Sequence, residues 1–403
     1  MKTSVRGARR PLIGAVALAV LLVVVLTSSN ASGHSPAGSP HAAHAAASWS
    51  DTAGAAFVSD GITRTYYIGS DVVAWSYAPT HRNQITGTAF GPKAKVYVAN
   101  GPGRIGSTYL KCLYRGYTDA TFTHLQPRPA DEAYMGILGP AIHAQVGDTV
   151  RIVLHNTCPF ATSIHMHGLL YDKGSEGAPY NDGTSAAAKG DDAVPRGGSY
   201  TYSYEVPERA GPGPSDGSSA MWMYHSHVDE VKDTYSGLMG PVVVTRAGMA
   251  RADGTPTDVD REVFALFSVM DENQSHFIKA NVKRYAKKPY AAPDDEDFGE
   301  SNLMHSVDGY VFGNQPMITM TAGQHVRWYV MSMGTEVDLH TPHWHGNTVT
   351  VNGMRTDVVS LMPASMVVAD MVPDNVGIWL FHCHVNDHIL AGMLTRYQVL
   401  PAT

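Results

Sequence analysis

Short stretches in which apolar and polar residues alternate recur along the chain, and no long helical period stands out. Residues 149–154 (TVRIVL) and 325–330 (HVRWYV) are two examples, and Gly147 and Gly323 mark the turns that precede them. Alternate residues of a β-strand point to opposite faces of the sheet, so this pattern predicts half-buried strands. Many short strands separated by turns that contain Gly or Pro predict an all-β sandwich protein.

The chain also repeats one order of motifs. In each half, a Gly-containing turn and a strand lead to two His-X-His pairs and then to a second glycine. The four pairs are, in chain order, His165/His167, His225/His227, His343/His345 and His382/His384. We therefore expect two copies of one domain, at residues 60–250 and 251–403. Their boundary is predicted where Gly, Pro and charged residues gather, within residues 246–261.

The N-terminal residues have the composition of a targeting segment. Four basic residues precede an apolar run from Leu12 to Leu26, and small residues that suit a signal peptidase follow. We predict a cleaved signal peptide at residues 1–31, and hence an exported protein without a membrane span in its mature form. Arg9-Arg10 also matches a twin-arginine signal, which leaves the export route open. Residues 32–59 are rich in Ala, Gly, Pro, Ser and His and are predicted to be a disordered linker.

Charge and cysteine content narrow the functional class. The net charge is -7 and basic clusters are absent from the sequence, which argues against a nucleic acid or an anionic membrane as partner. Three cysteines are too few for a disulfide scaffold. Cys112 and Cys158 could pair after export, but the sequence does not set the distance between them.

The third cysteine lies in a metal-binding pattern. Cys383 is followed by His388 and Met393 at equal spacing, and His340 precedes the third His-X-His pair by three residues. Two imidazoles, a thiolate and a weakly bound Met sulfur are the ligands of a blue, electron-transferring copper. In the first half, Thr162 and Ser226 stand at the positions of His340 and Cys383. Only the second domain therefore has every ligand for such a copper.

The other eight histidines suggest a second kind of copper site. Because alternate residues of a strand point apart, the two members of a His-X-His pair most naturally bind different ions. Four pairs brought together would hold three coppers, which makes four copper ions with the thiolate copper. Since Cys383 lies between His382 and His384, electrons would have a covalent route from the thiolate copper to the cluster. The pattern thus predicts an oxidase that takes single electrons from a reductant and delivers four to dioxygen.

From about Asp60 to Leu400, the chain resembles the multicopper oxidases. The two-domain arrangement, with a blue copper in the second domain only, is similar to the bacterial two-domain laccases. The amino-acid sequence of the motifs is more similar to the ceruloplasmin and hephaestin group. This similarity is carried by residues 117–119 (YTD), 223–229 (MYHSHVD), 269–273 (VMDEN) and 378–384 (IWLFHCH). The resemblance implies two cupredoxin-like Greek-key β-sandwich domains.

The resemblance also implies which residues bind each type of copper and how the chains assemble. It assigns His165 and His343 to a type 2 copper, and His340, Cys383, His388 and Met393 to the type 1 copper. The type 3 pair would be bound by His167, His225, His227, His345, His382 and His384. In this family a cluster lies between a first-type and a last-type domain, and each contributes half of the histidines. We therefore expect a homotrimer whose clusters lie at subunit interfaces, because a repeated heterologous contact must close into a ring.

Reduction of dioxygen to water consumes four protons, so a carboxylate is expected near the cluster. Glu176, in the loop after the first His-X-His pair, is the best candidate and matches a family acid at that spacing. Tyr171 follows His167 closely and is predicted beside the type 2 copper, where either a catalytic or a packing role is open.

The sequence leaves more than one class of reductant open. The resemblance to ceruloplasmin-like ferroxidases implies an Fe(II) site at Glu300 and His305, with Asp387 before the copper ligand His388, and Glu272 as a further acid. Hard carboxylates with one imidazole suit Fe(II). Laccase-like oxidation of phenols or aromatic amines is the alternative, and a copper-sequestering protein is the non-enzymatic one. Copper nitrite reductase is disfavoured, because it has its blue-copper Cys in the first domain and lacks the eight cluster histidines.

Overall fold

The computed structural model of the protein describes residues 59–402, with the exception of Pro293. The predicted signal peptide, and the predicted linker apart from Ser59, lie outside the described residues. The described residues belong to one compact unit. Among them, no helix is long and apolar enough to cross a membrane.

Eighteen strands and five short α-helices make up the described chain. The strands are β1 (Thr63–Ser76), β2 (Thr108–Tyr117), β3 (Ile142–Gln145), β4 (Thr149–Asn156), β5 (His165–Met166), β6 (Ser199–Glu205), β7 (Ser219–His225), β8 (Met239–Thr245), β9 (Arg261–Asp271), β10 (Leu303–Val307), β11 (Ile318–Thr321), β12 (Val326–Ser332), β13 (Pro342–Trp344), β14 (Val349–Val351), β15 (Met354–Thr356), β16 (Met366–Met371), β17 (Gly377–Cys383) and β18 (Leu394–Leu400). The helices are α1 (Pro92–Val98), α2 (Glu230–Ser236), α3 (Ile278–Tyr285), α4 (Glu296–Ser301) and α5 (Asn386–Ala391). Short 3₁₀ turns lie at Ala130–Met135, Lys173–Ser175, Ala186–Ala188 and Glu208–Ala210.

Two four-stranded sheets form the first sandwich, which takes all its strands from β1 to β8. One sheet has the order β2-β1-β4-β6 and the other β3-β8-β7-β5. Fully buried apolar side chains from both sheets, such as Ile152 of β4 and Val242 of β8, belong to one core cluster. The predicted strand at residues 149–154 is confirmed as the greater part of β4.

The second sandwich takes its strands from β9 to β18. A six-stranded sheet of order β10-β9-β12-β16-β14-β15 faces a four-stranded sheet of order β11-β18-β17-β13. Trp328 of β12 packs on Phe381 of β17 with 4.9 Å between ring centroids, which joins the two sheets. The strand predicted at residues 325–330 is confirmed as β12, shifted by one residue at its start. The fold class is therefore the predicted all-β one with two sandwiches, and the predicted domain boundary at residue 250 lies between β8 and β9.

The two sandwiches share a buried contact surface. Tyr77 and Tyr109, from the first part of the chain, lie in the same core cluster as Val263 and Trp328 of the second sandwich. Lys111 of β2 forms an ion pair with Glu272, just after β9, and both side chains are fully buried. The histidine pairs therefore lie on two sandwiches that share a buried core.

Candidate metal centres

A thiolate site lies at one end of the second sandwich, and we define it as His340, Cys383 and His388. Cys383 is the last residue of β17, His388 lies in α5, and His340 comes just before β13. The Cys383 Sγ is 3.5 Å from His388 Nδ1 and 3.9 Å from His340 Nδ1, and the two Nδ1 atoms are 3.1 Å apart. Three donor atoms therefore face a common point, as a metal site requires.

The surroundings of Cys383 favour its thiolate. The side chain is fully buried and forms no disulfide. Burial alone would raise the pKa of the thiol. However, hydrogen bonds to Sγ from His340 and from the backbone N–H groups of Thr341 and Val385 hold this pKa below its usual value. A soft thiolate with two imidazoles is a donor set that fits copper.

The two imidazoles of the thiolate site are fixed by different contacts. His340 Nε2 lies 3.1 Å from an oxygen of Asp338, which is fully buried and thereby orients the ring. Burial and the neighbouring His340 lower the pKa of His388 to about 3, so this imidazole is neutral, the form that binds metals. Met393 is fully buried and is held by backbone hydrogen bonds to His388 and Cys383. The predicted fourth ligand thus lies beside the other three.

The first histidine cluster consists of His165, His167, His225 and His227, at one end of the first sandwich. The pairing of β5 with β7 sets His165 opposite His225. The Nε2 atoms of His167 and His225 are 3.1 Å apart, and the His227 ring centroid is 5.1 Å from that of His165. Burial is the main cause that lowers the pKa of His167 to about 4 and that of His225 to about 3. These two rings are therefore neutral, and their Nε2 atoms face each other.

The second histidine cluster consists of His343, His345, His382 and His384 and repeats this geometry. Pairing of β13 with β17 sets His343 opposite His382, and the Nε2 atoms of His345 and His382 are 2.9 Å apart. The His384 ring centroid is 4.8 Å from that of His343. A cleft of about 260 Å³, lined by His343, His345 and Asp357, opens beside this cluster.

Backbone carbonyls select the same tautomer in both clusters. The Nδ1 atoms lie close to carbonyl oxygens, which Nδ1–H can donate to, so that Nε2 is left as a free ligand atom. The distances are 2.8 Å for His165 to Glu176, 3.1 Å for His225 to Ser226, 3.0 Å for His343 to Asp357 and 2.8 Å for His382 to Cys383. Four histidines are thus presented to a metal by the fold itself.

The two clusters stay apart within one chain. Each forms its own group of converging donors, and the ring contacts among these eight histidines, all of which the structure describes, lie inside one cluster or the other. By contrast, the thiolate site and the second cluster are adjacent, because Cys383 lies between His382 and His384 in the sequence. The sequence-predicted ligands are therefore brought together in three groups.

A hydrogen-bonded carboxylate fills the place in the first sandwich that corresponds to the thiolate site. Ser226, the counterpart of Cys383, donates its hydroxyl to Asp233 at 2.6 Å. The backbone N–H groups of Val228 and Asp229 donate to the same oxygen at 3.1 Å, and His276 Nε2 lies 2.9 Å from the other oxygen. Asp233 is fully buried. The contact of Asp233 with His276 was missed by sequence reasoning, although Ser226 between His225 and His227 already indicated that no thiolate copper is bound at this position.

The residues predicted to bind iron lie in two places. His305 packs beside the thiolate site, with its ring centroid 5.2 Å from that of His388. Glu300, near the end of α4, accepts a hydrogen bond from the Tyr97 hydroxyl at 2.6 Å. Asp387 is exposed at the start of α5. Glu272 is different, because it is fully buried and its charge is already matched by Lys111.

The inclusion of Glu272 in an iron site is therefore corrected. Its Oε1 atom accepts hydrogen bonds from Lys111 and from Tyr77, and the site has no exposure to solvent. A carboxylate that is neutralised by a buried lysine has no charge left for a cation, and removing it from that lysine would leave an unpaired buried charge.

Glu176 and Tyr171 lie close to the first histidine cluster. The contacts of the Glu176 side chain are with Lys173 and Tyr180, and they favour its charged form rather than a protonated one. The Glu176 carboxylate pairs with Lys173 at 2.5 Å and accepts from Tyr180 at 3.0 Å. Burial would raise the pKa of Glu176, but these hydrogen bonds hold it below its usual value. The Tyr171 ring is edge-on to that of His165 at 6.2 Å. The proton-donor role of Glu176 stays a prediction.

The two remaining cysteines form a disulfide. The Cα atoms of Cys112 and Cys158 are 6.2 Å apart, and the bond joins β2 to the loop after β4. The sequence left open whether these two cysteines pair, and in the structure they are bonded.

Comparison with known proteins gives two family matches. Models of the multicopper oxidases match residues 130–248 and 287–403. Human ferroxidase HEPHL1 is 44% identical to this chain over 84% of the chain and 29% of that protein. Human ceruloplasmin is 40% identical over 84% of the chain and 31% of that protein. The chain thus spans less than a third of the length of either relative.

Solved structures show the same fold at low sequence identity. A multicopper oxidase crystal structure has a TM-score of 0.50 at 16% identity, and the match covers 84% of this chain and 89% of the other. A copper nitrite reductase from Nitrosomonas europaea has a TM-score of 0.52 at 15% identity, with 84% and 94% covered. These likenesses concern the cupredoxin-like sandwich fold alone.

Proposed function

The chain is a member of the multicopper oxidase family, and we propose that it oxidises Fe(II) and reduces dioxygen to water. Four Fe(II) ions lose one electron each, and one dioxygen takes up the four electrons and four protons to form two waters. The observation that carries this proposal is the convergence of His340, Cys383 and His388 on one point, with His305 packed beside His388. The name of the relative ferroxidase HEPHL1 supports the choice of iron.

The donor sets define where copper would be held. The thiolate site with Met393 would bind one ion of type 1. The eight cluster histidines would bind three, with His165 and His343 on a type 2 ion and the remaining six on a type 3 pair. Copper in these sites would supply the one-electron redox chemistry that couples a single-electron donor to dioxygen. The polypeptide supplies neutral imidazoles, a buried thiolate, and a covalent path from Cys383 to His382 and His384.

We further propose a homotrimer in which the first cluster of one chain faces the second cluster of the next. Support comes from the geometry of one chain, where two similar clusters of four histidines lie in separate sandwiches. Each is half of the expected set of eight. A contact between unlike surfaces repeats around a ring, and a ring of three would complete every cluster.

The iron site is proposed at Glu300, His305 and Asp387. His305 is the link to the thiolate site, because its ring contacts that of His388 and its exposed fraction is only 8%. Burial lowers the pKa of His305, and the charge of Glu300 acts in the opposite direction, which indicates that the two groups lie near each other. A neutral imidazole with two carboxylates is a donor set that Fe(II) accepts and that favours Fe(III) still more.

Steady-state kinetics on His305→Ala test this proposal. Oxidation of Fe(II) should fall at least about tenfold, because loss of even an outer-shell partner of a metal usually has an effect of that size, while oxidation of a dimethoxyphenol survives. His124→Ala, at an exposed histidine of the first sandwich, is the control and should behave as wild type. Equal loss of both activities, or of neither, would remove the iron site.

A laccase-like activity is the second candidate, favoured by apolar surface beside the thiolate site. Leu339 and Leu390, which flank His340 and His388 in the sequence, are each about half exposed, at 51% and 53%. Apolar side chains of this kind suit an aromatic reductant better than a metal ion. A copper-sequestering protein would differ from both candidates, because it would not consume oxygen when a reductant is added.

Export from the cytoplasm is part of the proposal. The Cys112–Cys158 disulfide supports it, since such bonds persist in oxidising compartments and are rare in the cytosol. The twin-arginine route stays a prediction from Arg9 and Arg10.

A further inference from the structure

A short helix from the first part of the chain covers the proposed iron site. Helix α1 (Pro92–Val98) contacts both α4, which carries Glu300, and α5, which carries Asp387 and His388. One side chain of α1, Tyr97, reaches into this space. Tyr97 was not singled out by any sequence pattern, and it lies 203 residues before Glu300.

Tyr97 touches two of the proposed iron-binding residues. Its hydroxyl donates a hydrogen bond to Oε1 of Glu300 at 2.6 Å. Its ring packs edge-on against His305 with 5.6 Å between ring centroids, and His305 in turn packs on His388 at 5.2 Å. Tyr97 is thus the outermost member of a row of side chains that leads to the thiolate site.

We propose that Tyr97 is a positioning residue that holds the Glu300 carboxylate and the His305 ring in place for Fe(II). This inference rests on the proposed ferroxidase function. Its geometric basis is the hydrogen bond to Glu300 together with the ring contact to His305. The Tyr97 hydroxyl would then affect the affinity for Fe(II). Oxidation of a reductant that does not contact Glu300 would not depend on this hydroxyl.

The carboxylate of Glu300 needs such a partner. A glutamate has three rotatable side-chain bonds, and Glu300 lies next to the last residue of a six-residue helix. In the described part of the chain, Tyr97 is the donor that contacts its carboxylate. A carboxylate has about four lone-pair sites, so one hydrogen bond from Tyr97 leaves the others available to an ion. Carboxylates that bind metals are commonly held by hydrogen bonds of this kind.

Asp387 also belongs to the surroundings of Tyr97. Burial, then the hydrogen bond to Glu300, then the charges of Glu300 and Asp387 raise the pKa of the Tyr97 phenol. Both carboxylates therefore act on the same hydroxyl. This is consistent with Glu300 and Asp387 lying on two sides of one small site that α1 closes.

Replacing the hydroxyl alone separates positioning from packing. Tyr97→Phe keeps the ring against His305 and removes only the hydrogen bond to Glu300. A matched control is Tyr117→Phe, because the Tyr117 hydroxyl also donates to a carboxylate, that of Asp71, at 2.6 Å. That pair joins β1 and β2 of the first sandwich. Glu300→Gln provides the reference for loss of the iron-binding carboxylate itself.

Two measurements on the copper-loaded protein give the readout. The first is steady-state kinetics with Fe(II) and with a dimethoxyphenol. The second is calorimetric titration of the reduced protein with Fe(II) in the absence of oxygen, which reports binding without turnover. For Tyr97→Phe we expect the KM and the Kd for Fe(II) to rise about tenfold, with phenol oxidation unchanged. Tyr117→Phe should match wild type in both measurements.

The outcomes distinguish this inference from the function on which it rests. If Glu300→Gln and His305→Ala leave Fe(II) binding intact, the iron site itself is wrong and Tyr97 has no role in it. If Glu300→Gln weakens Fe(II) binding but Tyr97→Phe does not, the positioning role alone is overturned. An equal loss of iron and phenol oxidation in Tyr97→Phe, or tighter Fe(II) binding, would also overturn it.

Discussion

Removal of the Asp233 side chain should cost the first histidine cluster its copper while the thiolate site keeps its own. In Asp233→Ala, four donors lose their acceptor: the Ser226 hydroxyl, the N–H groups of Val228 and Asp229, and the His276 ring. The Ser226 oxygen also accepts from the backbone N–H of Ser163 at 3.1 Å, so the disturbance extends to the loop before His165.

The magnitude follows from burial. A buried donor left without a partner costs about 1–3 kcal/mol. Val228, Asp229 and His276 are only partly buried, so water can replace the carboxylate for these three, and the Ser226 hydroxyl is the fully buried donor that loses its acceptor. The unfolding free energy should therefore fall by about 1–3 kcal/mol. The segment that carries His225 and His227 would then lack an anchor. In the second sandwich, Cys383 with a bound copper would hold the corresponding segment in place.

Two assays and one control test this prediction. Denaturant unfolding of the copper-free protein gives the loss of stability, and metal analysis with the blue absorption of the thiolate copper gives the loading of each site. Asp148→Ala is the matched control, since Asp148 is 1% exposed and accepts from Ile62, Gln145 and Arg64 in the same sandwich. It should be destabilised similarly and keep all its copper. Unchanged stability and full copper loading in Asp233→Ala, or an equal copper loss in both variants, would refute the reasoning.

Three further predictions concern the stability of the fold. Removing the Cys112–Cys158 disulfide, which closes a segment of 46 residues, should lower the unfolding free energy by about 4 kcal/mol in denaturant titrations, and no change would contradict this. Lys111→Met leaves Glu272 buried and unpaired and should cost about 3–5 kcal/mol. The double variant Lys111→Met, Glu272→Gln should regain most of that stability and oxidise Fe(II) like wild type. A loss of Fe(II) oxidation alone in the double variant would show that Glu272 does belong to the iron site. Burial raises the pKa of Asp308 from 3.8 to about 8, so the folded state retains a proton that the unfolded chain releases as pH rises through this window. Stability should fall by up to about 1.4 kcal/mol per pH unit there, and Asp308→Asn should flatten that slope in unfolding curves at several pH values.

The repeated motifs made the fold and the clusters predictable. Alternation marked β4 and β12, and the His-X-His pairs marked the strand ends where β5 meets β7 and β13 meets β17. Such signals are local, since a strand alternates and a ligand pair is separated by one residue. The proximity of Cys383 and His388 could also be predicted from the sequence, because His388 lies only five positions after Cys383, in a short helix.

Contacts between distant segments were beyond the reach of these patterns. Lys111 lies 161 residues from Glu272, and neither has a neighbour in sequence that indicates the other. The sequence therefore predicts a carboxylate that is free to bind iron, whereas in the structure Glu272 is buried and paired with Lys111. The same reason hid Tyr97 and the pairing of Asp233 with His276, which are both contacts across the boundary between the two sandwiches.

The most direct test is a crystal structure of the copper-loaded protein in its solution assembly, with copper located by anomalous scattering. We predict one copper per chain at His340, Cys383, His388 and Met393. Three more should lie between His165, His167, His225 and His227 of one chain and His343, His345, His382 and His384 of the next. Copper bound separately in each cluster, with the two clusters facing solvent, would contradict the proposed oxidase.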